Sequence, residues 1–60
     1  MKLIEVITDQ HNLKSITRIA EQHRSEINWI GPPDEQGRQL TRLLVGDEDR
    51  QAVLDALQGF

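Results

Sequence analysis

The side chains able to do chemistry in this 60-residue chain are few. It contains no cysteine, so thiolate nucleophiles, disulfides and thiolate metal sites are excluded outright. Its only histidines, His11 and His23, lie twelve residues apart in a stretch of helical periodicity. At a rise of roughly 1.5 Å per residue they would stand ~18 Å apart along a helix, too far to share one metal ion. His23 is better suited to the end of that helix, where an imidazole meets the negative pole of the helix dipole. Ser15 and Ser25 lack the Gly-x-Ser-x-Gly frame of an exposed nucleophile. The carboxylates cluster where helices should start and in a Gly/Pro-bounded loop, positions that solvent surrounds. No catalytic, cofactor-binding or metal-ligating residue is assigned, no cofactor is expected, and the chain is read as not being an enzyme.

Those sparse groups sit in one small domain spanning 1–60. A chain of 6.9 kDa buries only about 60% of its unfolded surface, which leaves a core close to break-even and a fold that gains from a partner. Ten acidic against seven basic residues give a net charge of −3, the wrong sign for a general nucleic-acid binder. No apolar run approaches a membrane span, and Met1-Lys2 opens a strand-like segment rather than a signal peptide. No direct membrane insertion is therefore expected. The lack of cysteine fits a reducing, cytoplasmic setting.

Periodicity supplies the elements. Lys2–Thr8 (K-L-I-E-V-I-T) is short and rich in β-branched residues, the pattern of a strand. Leu13, Ile16, Ile19 and Ala20 form one helical stripe, which predicts a helix over about 10–24 with Asp9 or Asn12 as its cap. Glu26–Ile30 alternates in period two and stops at Gly31-Pro32-Pro33. Gly31–Gly37 (G-P-P-D-E-Q-G) is a solvated loop by its chemistry. Gln39–Val45 resumes the strand pattern. Asp47 or Asp49 can cap a second helix whose buried stripe is Val53, Leu54, Ala56 and Leu57, with Gly59 as its stop.

The order β-α-β-β-α, with a right-handed crossover and a hairpin, puts the third strand between the other two and both helices on one face. This is an α+β, ferredoxin-like sandwich without its fourth strand. Ile4, Val6, Leu43 and Val45 should face the helices. The alternate residues, Leu3, Glu5, Ile7 and Leu40, Arg42, Leu44, should lie on the open face with Glu5 opposite Arg42, and these six are the candidate interaction surface. Trp29 is read first as core beneath the helices, with a partner interface and a ligand platform as alternatives.

Other uses of this topology lack their residues here. Base stacking on RNA needs aromatics on the central strands, and the only aromatics are Trp29 and Phe60. A heavy-metal transport domain would carry Cys-x-x-Cys after the first strand. An acylphosphatase-like site would need an anion-binding loop there, whereas Thr8–Asn12 (T-D-Q-H-N) has neither glycine nor arginine.

Two segments, K-L-I-E-V-I-T at Lys2–Thr8 and L-T-R-L-L-V-G-D-E-D-R-Q-A-V-L-D-A-L at Leu40–Leu57, resemble the soluble N-terminal domain of an uncharacterised family of prokaryotic multi-span membrane proteins. In that family a short βαββα unit precedes a hydrophobic multi-span region. The resemblance covers about half the chain and rests on aliphatic patterns. It implies a domain of unknown function, excised from or related to a longer chain and placed on the cytosolic face of a membrane protein, and it gives no residue a chemical role. Two functions follow as expectations. The first is a non-catalytic regulatory or assembly domain acting through its open face and first-strand edge, as a homodimer or completed by a strand beyond Phe60. The alternative is a small-ligand sensor resembling amino-acid-binding ACT domains.

Overall fold

The structure, a computed structural model, describes residues 1–59; Phe60, and with it any completing strand beyond, lies outside the described residues. Three strands, β1 (Lys2–Asp9), β2 (Glu26–Ile30) and β3 (Arg38–Val45), form one antiparallel sheet in the order β1-β3-β2. Two helices, α1 (Leu13–Gln22) and α2 (Arg50–Leu57), pack on one face of it. The arrangement is α+β and consistent with a ferredoxin-like fold, as the pattern of the sequence predicts.

β3 carries the clearest alternation. Gln39, Thr41, Leu43 and Val45 are buried, while Leu40, Arg42 and Leu44 are half-exposed. Leu43 and Val45 of that set join Ile4 of β1, Ile16, Ile19 and Ala20 of α1, and Val53 and Leu57 of α2 in the core. Val6, Ile27, Leu54 and Ala56 close the margins of this core. Leu43, Val45, Ile16 and Val53 have no exposed surface at all, so each removes its whole side chain from water, a gain of roughly 1.5–3 kcal/mol.

Local chemistry explains where the helices depart from the sequence reading. The helix expected over 10–24 is shorter. Gln10–Asn12 forms a single 3-10 turn, and only then does α1 begin. The Asp9 carboxylate accepts the His11 amide at 2.8 Å, and the Gln10 amide donates to the Gly37 carbonyl at 2.7 Å, so these groups are bonded outside any α-helical ladder. At the other end Arg24 adopts φ +53, and the Ser25 amide reaches back to the Ala20 carbonyl at 2.8 Å. That is the left-handed helix stop normally filled by glycine.

The caps sort by backbone. Asp9, at ψ 141, has the extended geometry that lets its carboxylate bond the turn after it. Asn12 (ψ −3) and Asp49 (ψ −6) are already helical and make no side-chain cap bond. Of the alternatives Asp9 and Asn12 it is therefore Asp9 that caps, and the cap bond expected of Asp49 is absent. Asp47 instead lies 3.2 Å from the N-terminal amine. Gly59 is not a left-handed stop either: α2 ends through Gln58, whose backbone stays right-handed, and Gly37 is the glycine with positive φ.

The 31–37 connection is exposed from Pro32 to Gln36 but internally tied, and Gly31 is buried. Asp34 holds the tip. Its amide donates to the Arg38 carbonyl at 2.7 Å, and its carboxylate accepts from the amides of Gln36 and Arg38, both at 2.9 Å. Gly37 takes the φ of +79 that this turn requires. Buried Gln39 donates its side-chain amide to the Gly31 carbonyl at 3.0 Å, closing the base.

Two substitutions test this account. Arg24→Gly relieves the left-handed residue and should stabilise the fold by about 0.5–1 kcal/mol, raising the thermal midpoint by a few degrees in calorimetry. Thr41 is fully buried and its hydroxyl has no partner among the described residues. Thr41→Val keeps the shape and removes the orphan, so urea unfolding should show a gain of about 1–2 kcal/mol.

Candidate functional site

The side of the sheet away from the helices is open, and the ladder fixes what it presents. In the β1–β3 register Leu3 lies opposite Leu44, Glu5 opposite Arg42 and Ile7 opposite Leu40. All six residues of the candidate interaction surface are thus brought onto one face. Leu3 is 52% and Ile7 70% exposed, while Leu40, Arg42 and Leu44 are half-buried by their neighbours. Arg42 Nε donates to Glu5 Oε2 at 3.1 Å, with both side chains near half exposure. An ion pair so solvated contributes on the order of 0–1 kcal/mol to the fold. It stands among four aliphatic side chains.

Trp29 joins them, which corrects its placement in the core. Strict alternation along Glu26–Ile30 would set Trp29 on the same face as Ile27. The β2–β3 register shifts between Ile27 and Trp29, so that Ile27 pairs with Leu43 on the helix side and Trp29 with Arg42 on the open side. The extra residue is Asn28, and such a bulge reverses the facing of everything after it. Trp29 is 50% exposed. A β-carbon at Gly31 would lie 3.3 Å from the indole Nε1 and 3.8 Å from Leu40 Cβ, so any side chain there would crowd the ring. The open face therefore carries a row Glu5–Arg42–Trp29 with aliphatic residues on both sides. A lone Trp before Gly-Pro-Pro was the available signal, but no sequence pattern announces the bulge.

The edges of the sheet differ. β2 is five residues long, bulged, and runs into Gly31-Pro32-Pro33. β1 is eight residues long, continuous in register and free of proline. Bulges, prolines and short length blunt an edge; β1 has none of these.

Elsewhere the chemistry is slight. His11 Nδ1 lies 2.7 Å from Asp9 Oδ1 on the surface. The His11 backbone amide first, then its imidazole, hold the Asp9 carboxyl below its usual range. Among the described residues no group of three or more His, Cys, Asp or Glu is arranged to hold a metal ion, and no helix is long and apolar enough to cross a membrane. A shallow depression lies between Met1, Arg24, Gly46 and the acidic run Asp47–Asp49, open to solvent.

The fold and this surface define an α+β sandwich with a bare sheet face and one edge guarded only by the charges of Lys2, Glu5 and Asp9. Comparison with protein-family models, with curated proteins and with solved structures returned no match.

The placement of Trp29 is testable by its energetics. A buried tryptophan replaced by alanine costs about 3–5 kcal/mol; Trp29→Ala should cost less than about 2 kcal/mol in urea unfolding. As the single tryptophan, it should also be readily quenched by acrylamide in the native state.

Proposed function

We propose that this chain is a non-catalytic regulatory or assembly module that works by associating through its open sheet face and the β1 edge, and that the occupant of that surface is a second copy of itself. The observation that carries this reading is the cluster of Leu3, Ile7, Leu40, Leu44 and Trp29 around the Glu5–Arg42 pair, next to an edge strand with no structural guard. A contiguous apolar surface on so small a fold marks an interaction site more often than plain surface. Charge does not forbid self-association: Glu5 and Arg42 pair within each copy, so the centre of the face carries no net charge. Stability favours it, because the core among the described residues has only eight buried hydrophobic residues, and association adds apolar burial that the monomer lacks. The resemblance to the soluble domain of prokaryotic membrane proteins gives the setting of this proposal, a cytosolic module that gathers copies of a longer chain.

The test is sedimentation equilibrium at about 100 μM, where even a micromolar dimer is mostly formed. The wild-type chain is expected to sediment as a dimer, and Ile7→Lys, at a 70% exposed position, as a folded monomer by circular dichroism. A well-folded wild-type monomer at that concentration overturns self-association and turns the search to a strand supplied in cis or by another protein. Dimerisation undiminished in Ile7→Lys overturns the surface.

A further inference from the structure

The hydrogen-bond phase of β1 restricts how a second copy can be received, and this inference rests on the self-association just proposed. In an antiparallel ladder, alternate residues turn their backbone groups toward the same neighbour. The Gln10 amide donates to the Gly37 carbonyl at 2.7 Å, continuing the register in which Lys2 meets Val45. Even-numbered residues of β1 are therefore the ones bonded to β3. The β2 side agrees independently: the Gly31 amide donates to the Leu40 carbonyl at 2.8 Å, so the even residues of β3 face β2 and its odd residues face β1. The free edge of β1 accordingly presents the amides and carbonyls of Leu3, Glu5 and Ile7, the same residues whose side chains form the open face.

From this we infer that two copies join β1 to β1 antiparallel, with the two-fold axis at Glu5, into one six-stranded sheet. Edge groups on odd residues can meet only odd residues of the partner strand. That removes every register that would set an odd residue opposite an even one, and it keeps the two open faces on the same side. Four registers remain that pair at least five of the strand's eight residues, with the axis at Ile4, Glu5, Val6 or Ile7. The last sets the Glu5 carboxylate against that of Asp9, a like-charge pair. An axis at Ile4 sets Leu3 against Glu5. An axis at Val6 sets Leu3 against Asp9 and Glu5 against Ile7. Each puts carboxylates beside aliphatic side chains. With the axis at Glu5, Leu3 lies against Ile7 on the open face, and Ile4 lies against Val6 on the helix side. The two Glu5 carboxylates then become neighbours, a like-charge contact that costs on its own and is offset in part because each is already paired with its own Arg42 at 3.1 Å. The result is a row of four charges, positive at both ends, that sums to zero.

Two measurements decide it. The first is amide exchange by NMR as a function of concentration. On association the amides of Leu3, Glu5 and Ile7 should become protected in step with the dimer fraction, while those of Ile4 and Val6, already bonded to β3, should change little. Protection that fails to rise at the three odd residues, in a sample that sedimentation shows to be dimeric, overturns edge pairing while leaving self-association standing.

The second reads the axis. Because the chain has no cysteine, Lys2→Cys and Thr8→Cys can each carry a single nitroxide. Lys2 and Thr8 are both three residues from Glu5, so each label should lie ~20 Å along the strand from its own copy in the partner, at about 3.4 Å per residue. Equal distances at the two sites are the expected result. Values of ~14 and ~27 Å, in either order, would move the axis to Ile4 or Val6 and overturn this register. A chain monomeric throughout would instead overturn the parent reading, and with it this one.

Discussion

Everything in this fold hangs on β3. It is the one strand hydrogen-bonded on both sides, and its two faces are sorted without exception: Gln39, Thr41, Leu43 and Val45 inward, Leu40, Arg42 and Leu44 outward. Once that phase is set, β1 has no freedom. A slip of one residue would turn Ile4 and Val6 toward water and bring Glu5 beneath the helices, where an unpaired carboxylate is prohibitively costly. The strand even tolerates a buried hydroxyl at Thr41 that is unpartnered among the described residues. A β-branched residue suits the pleated surface there, and its methyl shares the apolar layer while the oxygen goes unpaired.

That dependence explains what could be read from sequence alone. The sheet order follows from the crossover and the hairpin. β1 and β3 alternate cleanly, so their faces and the Glu5–Arg42 partnership follow from period two. β2 does not obey it. Asn28 is accommodated as a bulge, and a bulge is a property of two strands in register rather than of five residues read singly. The same limit governs the helix ends. Asp9, Asn12 and Asp49 are all capping residue types, but only Asp9 has the extended ψ that lets its side chain reach a free amide. Composition names candidate caps; the path of the chain chooses among them. Arg24 is a plainer case, since nothing about an arginine announces a left-handed helix stop.

The bulge in β2 bears on function in two ways. It blunts that edge, already short and terminated by Pro32 and Pro33, so β2 is poorly disposed to receive another strand. It also transfers the largest side chain of the molecule from the helix layer to the open face. Without the shift, Trp29 would compete for space beneath helices whose cores are built from isoleucine, valine and leucine. With it, the aromatic surface adds to the aliphatic cluster, beside a glycine where any side chain would crowd the ring. One inserted residue thus makes the two edges unequal and enlarges the exposed apolar area.

The ion pair at the centre of that area has little value to the monomer, since two half-exposed side chains exchange one set of polar partners for another. Its consequence arises when the face is covered. Burying Glu5 and Arg42 together costs the hydration of both charges, and a partner that offers only apolar surface gives nothing back. A partner that brings a matching pair can keep every charge bonded, so the central charges discriminate while the surrounding aliphatic and aromatic groups supply affinity. The same division limits indiscriminate aggregation: an all-aliphatic face next to an open strand edge would accept many partners and many registers, whereas one charged row across the sheet is satisfied in few. A second copy joined along β1 lays its own charged row end to end with the first, so the edge-paired sheet doubles this face without covering it.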